Sequence, residues 1–418
     1  MSAPGHLVRR LGTGDAVMIG LGSMIGAGVF AAFTPAAAAA GSGLLVGLGL
    51  AAFVAYCNAT SSAQLAARYP TSGGTYVYGR ERLGPWWGYL AGWGFVIGKT
   101  ASSSAMALTF AAYAAPAGWE RPVAVAAVVI LAAVNYHGVT RTAGLTRILV
   151  VLVLLALAAG VAACWLGGAA HTASLAPSGL LSGGWYGTLQ SAGLLFFAFA
   201  GYARIATLGE EVKNPRHTIP RAITIALAIT IAVYAVVGVT VLAALGPDGV
   251  AASPVPLARA VGAGSWGWAV PVVRAGAAVA SLGALLALIA GLGRTTLAMA
   301  RENDLPRWLA AVHPRYKVPH RAEAVLAAAV CAIILVADLR GAIGFSSFGV
   351  LVYYLVANVA AFTQPREQRR YPRGLQVAGA AACLVLAATL PGPSVIAGLV
   401  MFAVGVVLRL VRLRSSKT

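Results

Sequence analysis

Long apolar runs dominate this chain and limit what it can fold into. About twelve stretches hold roughly 20 mainly apolar residues each, the length that crosses the hydrocarbon core of a bilayer as a helix. They cover residues 14–39, 42–66, 84–115, 122–138, 142–167, 185–209, 218–245, 270–299, 321–338, 341–363, 374–390 and 393–411. Hydrophobic residues make up 59% of the chain and charged residues 10%, which is outside the range of soluble domains. We therefore predict an all-α integral membrane protein with about twelve transmembrane helices.

The formal net charge of +19 raises the question of nucleic-acid binding, but the placement of the cations argues against it. If the N-terminus lies in the cytoplasm, the outer loops carry only Arg121, Arg259 and Arg340. Nearly all other lysine and arginine outside the spans then lies on the inner side. This is the positive-inside pattern of multi-pass membrane proteins. It predicts a protein of the cell membrane with both termini in the cytoplasm, in contact with the lipid bilayer and without a nucleic-acid partner.

The cysteines do not indicate a disulfide framework or a metal site. All four lie inside apolar spans, and no Cys-x-x-Cys pair occurs. Buried free cysteine behaves as a small hydrophobic side chain, and this is our interpretation here. The sequence gives no sign of a cofactor or a bound metal.

The first apolar span carries a glycine-rich stretch, Gly20 to Phe30, with glycine at 20, 22, 26 and 28. Each glycine costs about 1 kcal/mol relative to alanine inside a helix, so one interpretation is a helix that breaks near residues 23–28. The other is close helix packing through small residues. A break within a membrane exposes backbone groups that lipid cannot satisfy, and these must face a cavity or a ligand.

A second stretch favours the break. The sixth span ends in the aromatic cluster Phe196, Phe197 and Phe199, followed by Gly201, Tyr202 and Arg204. The two interrupted spans lie five spans apart, so they run in opposite directions, as the opening helices of two inverted repeats do. Half-helix N-termini suit a carboxylate, and half-helix C-termini suit an ammonium group or another cation. Together they predict a transporter site for a zwitterion such as an amino acid.

This reading divides the chain into four parts. Residues 1–13 form a cytoplasmic lead, and residues 14–363 form a transport core made of inverted repeats 14–167 and 185–363. Residues 374–411 hold two peripheral transmembrane helices, which are candidate scaffold or oligomer contacts, and 412–418 are a cytoplasmic tail.

Three motifs in order resemble the amino acid–polyamine–organocation superfamily over residues 10–411. They are Ile25-Gly26-Ala27-Gly28-Val29-Phe30, the segments Phe197 to Gly201 and Glu210 to Arg221, and the segment Arg294 to Pro306. The resemblance implies a five-plus-five inverted-repeat fold and transport of amino acids or amines by alternating access.

The resemblance also implies a binding site. It places the substrate carboxylate at the backbone of Ala27 and Gly28, beside Ser23. The amino group would bind carbonyls near Met24 and those of Phe199 and Ala200, and Phe197 and Tyr202 would wall or gate the side-chain pocket. The substrate-binding residues it implies are Ser23, Met24, Ile25, Gly26, Ala27, Gly28, Phe197, Phe199, Ala200, Gly201 and Tyr202.

The sequence identifies the residues that would couple transport to an ion less directly than it identifies the binding site. Some proton-coupled relatives place a lysine in the fifth helix, but Leu154 stands near the matching position, and the chain around 284–291 lacks hydroxyl pairs for sodium. Lys99 lies about 15 residues into the third span and is a candidate proton or cation carrier, because intramembrane ionisable residues are functional candidates by default. The alternative is a lysine that caps a broken helix or extends to the membrane surface. Protons are therefore candidate coupling ions.

Lys99 and Arg204 have no evident carboxylate partner, because the eleven acidic residues lie in loops or near span ends. A cationic interior disfavours polyamines and arginine, so we predict a neutral or acidic amino acid as substrate. Three alternatives stay open: an amine or polyamine transporter, a membrane receptor or sensor on the same scaffold, and a membrane enzyme. An enzyme needs a convergent cluster of catalytic groups, and His313, His320 and Glu323 lie in a turn-rich segment, so we do not expect one.

Overall fold

The computed structural model describes residues 10–70, 73–137, 143–171 and 183–415. Parts of the predicted lead at 1–13 and of the predicted tail at 412–418 lie outside these residues. The described residues form helices and connecting turns, with one isolated parallel bridge between Leu11 and Val212.

Helices occupy all of the predicted apolar spans. They are α1 Thr13–Met24, α2 Gly28–Ala31, α3 Phe33–Ala40, α4 Leu44–Arg68, α5 Gly74–Leu83, α6 Pro85–Ala114, α7 Glu120–Tyr136, α8 Ala143–Leu166, α9 Gly184–Phe199, α10 Ala203–Ala206, α11 Pro215–Ala251, α12 Pro256–Gly262, α13 Val270–Arg301, α14 His320–Val336, α15 Leu339–Phe362, α16 Arg373–Thr389 and α17 Gly392–Ser415.

Length and composition identify membrane spans among these helices. Within the described residues, eight helical stretches are long and apolar enough to cross a bilayer, and α16 is a shorter apolar helix. The all-helical membrane architecture predicted from the sequence is therefore confirmed. The count of about twelve spans, the inverted repeat and the division into domains stay predictions.

The first span is interrupted where its glycines cluster. The backbone bends at residues 25–27, between α1 and α2, and bends again at Ala32. The glycines also serve close packing, since an added Cβ at Gly26 would lie 2.6 Å from the Ala284 Cβ, and one at Gly28 would lie 2.7 Å from the Ala198 Cβ. Interruption and close packing, the two interpretations of this stretch, therefore occur together.

The sixth span is interrupted as well. The α-helix α9 ends at Phe199, a 3₁₀ turn covers Ala200–Tyr202, and the short α10 follows. In contrast, α11 is helical without a break from Pro215 to Leu245. At Gly246, whose φ of 65° lies in the left-handed region that favours glycine, the backbone leaves the helix, and a short second helix follows to Ala251.

The interrupted helices lie inside the bundle. The helix α1 packs against α8, α11 and α13 and against the turn at 200–202, while α6 packs between α13 and α15. The last helix, α17, lies outside, packed on α15 and α6, and most of its apolar window is exposed. The end of α1, the turn at 200–202 and the middle of α6 therefore lie close together inside the bundle.

Candidate functional site

A cavity of about 70 Å³ lies where both helix interruptions meet the middle of α6 and the face of α13. Six of the residues predicted from the sequence line it: Ser23, Lys99, Phe197, Ala200, Gly201 and Arg204. The end of α1 and the turn that follows α9, which are far apart in the sequence, therefore border one cavity.

The two interruptions touch at Gly201. An added Cβ at this position would lie 2.3 Å from the carbonyl oxygen of Ser23 and 2.6 Å from the amide nitrogen of Met24. Such distances are far inside van der Waals contact, so this approach requires glycine. The contact positions the end of α1 directly against the turn that ends α9.

The interruption after α1 leaves amide groups without helical acceptors. Among the described residues, the amides of Gly26, Ala27 and Gly28 donate no backbone hydrogen bond. An unpaired buried amide is costly and calls for a polar partner. The family resemblance assigns two of these amides, those of Ala27 and Gly28 at the helix N-terminus, to a substrate carboxylate.

Two of the carbonyl groups assigned to the substrate amino group, those of Met24 and Ala200, already accept hydrogen bonds from side chains. The ammonium of Lys99 donates to the Ala200 carbonyl over 3.3 Å, and the Tyr354 hydroxyl donates to the same oxygen over 3.4 Å. The Met24 carbonyl accepts a short hydrogen bond from the hydroxyl of Tyr234. The acceptors exposed by the two interruptions are therefore held by donors of the protein itself.

Lys99 is buried at mid-helix in α6, with 6% of its surface exposed. It makes none of the ion pairs found among the described residues. Its contact with Ala200 matches one of the two roles that the sequence left open for this lysine, the capping of a broken helix. Because the same ammonium lines the cavity, capping and a functional role are compatible.

Arg204 lies at the wider end of the cavity. Its guanidinium donates to the hydroxyl of Thr207 over 3.3 Å. Beside it, Arg294 of α13 lies 3.8 Å from a carboxylate oxygen of Glu211. Lys99, Arg204 and Arg294 all line the cavity, whereas its described lining includes no carboxylate.

A larger cavity of about 370 Å³, the vestibule, adjoins the central one. The two share Ser23, Arg204, Ala287 and Arg294, and the vestibule also reaches Glu211. It lies on the side of the molecule that the charge pattern predicts to face the cytoplasm. The geometry therefore connects the central cavity with that side.

Other predicted residues lie next to the cavity without lining it. Ala27 packs in an apolar cluster with Met106 and Ala284, and the ring of Phe199 lies 5.0 Å from that of Tyr234. The predicted binding residues that do not line the cavity are Met24, Ile25, Gly26, Ala27, Gly28, Phe199 and Tyr202.

Tyr202 does not wall the cavity in this conformation. Its side chain is fully buried, and its ring lies 5.1 Å from the ring of Tyr354 on α15. The gating role implied by the family resemblance would thus need a movement of this ring.

The junction of α1, α8 and α13 is the place where the resemblance locates a sodium ion or a lysine in relatives. Here there is a cavity of about 20 Å³ lined by Ile25, Val150, Val153 and other mainly apolar residues, together with Thr146. Leu154 is one residue beyond this lining and packs against the main apolar core. The side chains around this small cavity are therefore mainly apolar.

Several lining residues were not predicted from the sequence, among them Phe95, Ser102, Met106, Thr207 and Leu288. Ser102 had a signal, since a serine run at mid-membrane is unusual, and its hydroxyl lies 2.6 Å from that of Ser346 on α15. The apolar members carried no signal, because any core residue looks alike in the sequence.

A family model described as amino acid permease matches residues 11–416, nearly the whole chain. The chain belongs to the amino acid permease family. This confirms the resemblance seen in the three sequence motifs, and it identifies this permease as a multi-pass membrane transport protein.

Relatives of this permease agree with that assignment. It is 62% identical over 403 residues to an uncharacterized transporter of Mycobacterium tuberculosis, which covers 96% of this chain and 91% of the relative. It is 24% identical over 436 residues to the branched-chain amino acid permease BcaP of Bacillus subtilis, with 96% and 92% covered. It is 30% identical over 370 residues to the vacuolar cationic amino acid transporter 4 of Arabidopsis thaliana, with 80% and 60% covered.

Proposed function

We propose that this permease is a secondary active transporter that moves amino acids across the cell membrane by alternating access. The observation that carries the proposal is the contact between the two interrupted helices at Ser23 and Gly201, beside a cavity that adjoins the vestibule. Opposed helix ends in mid-membrane supply both a donor and an acceptor set, which a zwitterion requires.

The substrate carboxylate binds the amides of Ala27 and Gly28, where the second part of the first span begins. These amides do not line the cavity in this conformation, so binding requires the cavity to open toward them. The helix N-terminus offers partial positive charge and free N–H groups there. The substrate amino group binds the carbonyl of Ala200 at the opposite interruption. The cavity wall formed by Phe197 then receives the substrate side chain.

Binding of the amino group requires Lys99 to move. Its ammonium and the substrate ammonium are both donors with positive charge, and both need the Ala200 carbonyl. Two cations cannot share one acceptor at low cost inside a membrane. Substrate binding therefore displaces or deprotonates Lys99, and this gives the chain a way to couple transport to a proton. Exchange of internal for external amino acid is the alternative form of coupling.

The charge around the cavity favours a neutral or acidic amino acid. Lys99, Arg204 and Arg294 would repel a side chain that carries a positive charge, which also disfavours polyamines. The branched-chain permease among the relatives agrees with this class of substrate. The relative named for cationic amino acids supports the opposite class, and a competition assay separates the two.

The test is uptake and counterflow in proteoliposomes with a panel of labelled neutral, acidic and basic amino acids and putrescine, with and without a pH gradient. Empty liposomes serve as the control. We expect saturable flux of a neutral or acidic amino acid. Saturable binding without flux would instead favour a receptor or sensor, and preferential flux of arginine or putrescine would overturn the substrate assignment.

A further inference from the structure

Another cavity, which shares no lining residue with the central one, lies at the junction of α5, the end of α13 and α17. It has a volume of about 500 Å³ and is lined by four arginines and two acidic residues: Arg80, Arg307, Arg409, Arg412, Glu302 and Asp304. Arginine side chains therefore outnumber carboxylates around this space. We refer to it as the basic cavity.

Arg409 is the most deeply buried of the basic groups, with 7% of its surface exposed. Its guanidinium lies 2.7 Å from a carboxylate oxygen of Asp304 and is stacked over the rings of Trp86 and Tyr89, at 4.8 and 4.5 Å from their centroids. Its Nε is nevertheless buried without a hydrogen-bond partner among the described residues. A buried donor on a charged group is costly to leave unpaired, and Asp304 and the two rings hold this guanidinium in place at the cavity wall.

An apolar cavity of about 400 Å³ adjoins the basic one, and the two share Asp304 and Arg412. Its walls include Trp93, Leu305 and Leu408. Leu408 is half exposed on the outer face of α17, which the fold turns toward lipid. A charged cavity and an apolar cavity that open side by side at the end of membrane helices match an amphiphile, not a soluble anion.

We propose that this pair of cavities binds an anionic phospholipid, with the phosphate group in the basic cavity and an acyl chain in the apolar cavity. Basic pockets between transmembrane helices on the cytoplasmic side bind such headgroups. The excess of arginine around the basic cavity supplies charge complementarity for the phosphate group. The bound lipid would join α17 to α6 and to the α13 end. This proposal is independent of the transported substrate.

The test is native mass spectrometry of the purified, delipidated protein with phosphatidylglycerol, phosphatidylcholine or inorganic phosphate added. We expect phosphatidylglycerol to be retained at lower concentration than phosphatidylcholine. The double variant Arg307→Gln/Arg412→Gln should weaken this binding roughly thirtyfold, from the usual contribution of two basic side chains near an anionic headgroup. Arg414→Gln removes one positive charge from α17 outside the cavity lining and should leave the binding within about twofold.

A second variant, Leu408→Trp, fills the apolar cavity without changing charge and should also weaken phosphatidylglycerol binding. Size-exclusion chromatography checks that each variant is folded. Equal retention of both phospholipids, or unchanged binding by the double variant, would overturn the proposal. Inorganic phosphate that competes fully at equal concentration would also overturn it, because the occupant would then be a free anion rather than a lipid.

Discussion

Gly201 lies so close to Ser23 that a Cβ added to it would be 2.3 Å from the Ser23 carbonyl oxygen. The contact joins two interrupted helices that are remote in the sequence, and it borders the central cavity. Whatever enlarges residue 201 must therefore separate the two helix ends that form the proposed binding site.

Replacing Gly201 with alanine should reduce amino acid binding and transport. Loss of a hydrogen bond to a charged group costs about 1.5–3 kcal/mol, so we expect transport to fall roughly tenfold or more. Overpacking of this kind should also lower stability by about 1–3 kcal/mol. Initial rates in proteoliposomes and thermal unfolding in detergent measure the two effects.

The matched control is Gly49→Ala, on an exposed face of α4 where an added Cβ meets nothing within 4 Å. It should transport normally and be about 0.5–1 kcal/mol more stable, since alanine favours a helix interior. Normal transport by a folded Gly201→Ala protein would show that the contact is not needed.

Lys99→Met should remove the hydrogen bond to the Ala200 carbonyl and any proton that this side chain carries. We expect slower transport whose remaining rate no longer depends on an imposed pH gradient. Uptake measured across a series of external pH values checks this.

Thr100→Val is the control for Lys99→Met, because the Thr100 hydroxyl donates only within α6, to Val96, and does not line the cavity. It should keep the pH profile of the parent protein. A Lys99→Met protein with the same pH dependence as the parent would exclude Lys99 as the proton carrier.

Arg204→Gln should relax the discrimination against cationic amino acids. Removing one positive charge from the cavity wall should raise the competition by lysine or arginine, relative to leucine, by roughly tenfold. Inhibition of labelled substrate uptake gives the ratio. Arg216→Gln, an exposed arginine of α11, should leave the ratio unchanged, and an equal effect of both variants would point to surface charge instead.

Asp304→Asn should destabilise the protein more than Glu302→Gln, the matching change at the neighbouring acidic residue. The Asp304 carboxylate is buried and accepts from Tyr76 and Arg409, and removing one partner of a buried pair costs about 3–5 kcal/mol. Burial and the nearby Asp304 carboxylate raise the pKa of Tyr76, so its hydroxyl stays a donor at neutral pH.

Glu302→Gln tests the same region at the surface, where Glu302 pairs with Arg80 at half exposure. Exposed pairs contribute about 0–1 kcal/mol, so its apparent melting temperature should stay close to that of the parent. Similar melting temperatures for both variants would contradict the structural role of Asp304.

Local sequence signals predicted the helix interruptions well. Glycine at 26 and 28 and at 201 marked both of them, and the position of Lys99 in its apolar run placed it at mid-helix. These predictions succeeded because backbone propensity and hydrophobic spacing act over a few residues.

Contacts between distant segments could not be predicted in this way. The partner of Lys99 is a carbonyl about a hundred residues away in the chain, and nothing near Lys99 indicates it. Asp304 reads as an ordinary loop acid, but the fold buries it against Arg409. Glu323, expected near a span end, is in the first turn of α14 and is also buried. Burial of these groups depends on how helices pack, which local patterns do not specify.

The most direct test of the account is a structure of the permease with its transported amino acid bound. The account predicts the ligand carboxylate at the amides of Ala27 and Gly28, and its amino group at the Ala200 carbonyl with Lys99 displaced. A ligand bound elsewhere, or Lys99 still on that carbonyl beside a bound amino acid, would contradict it.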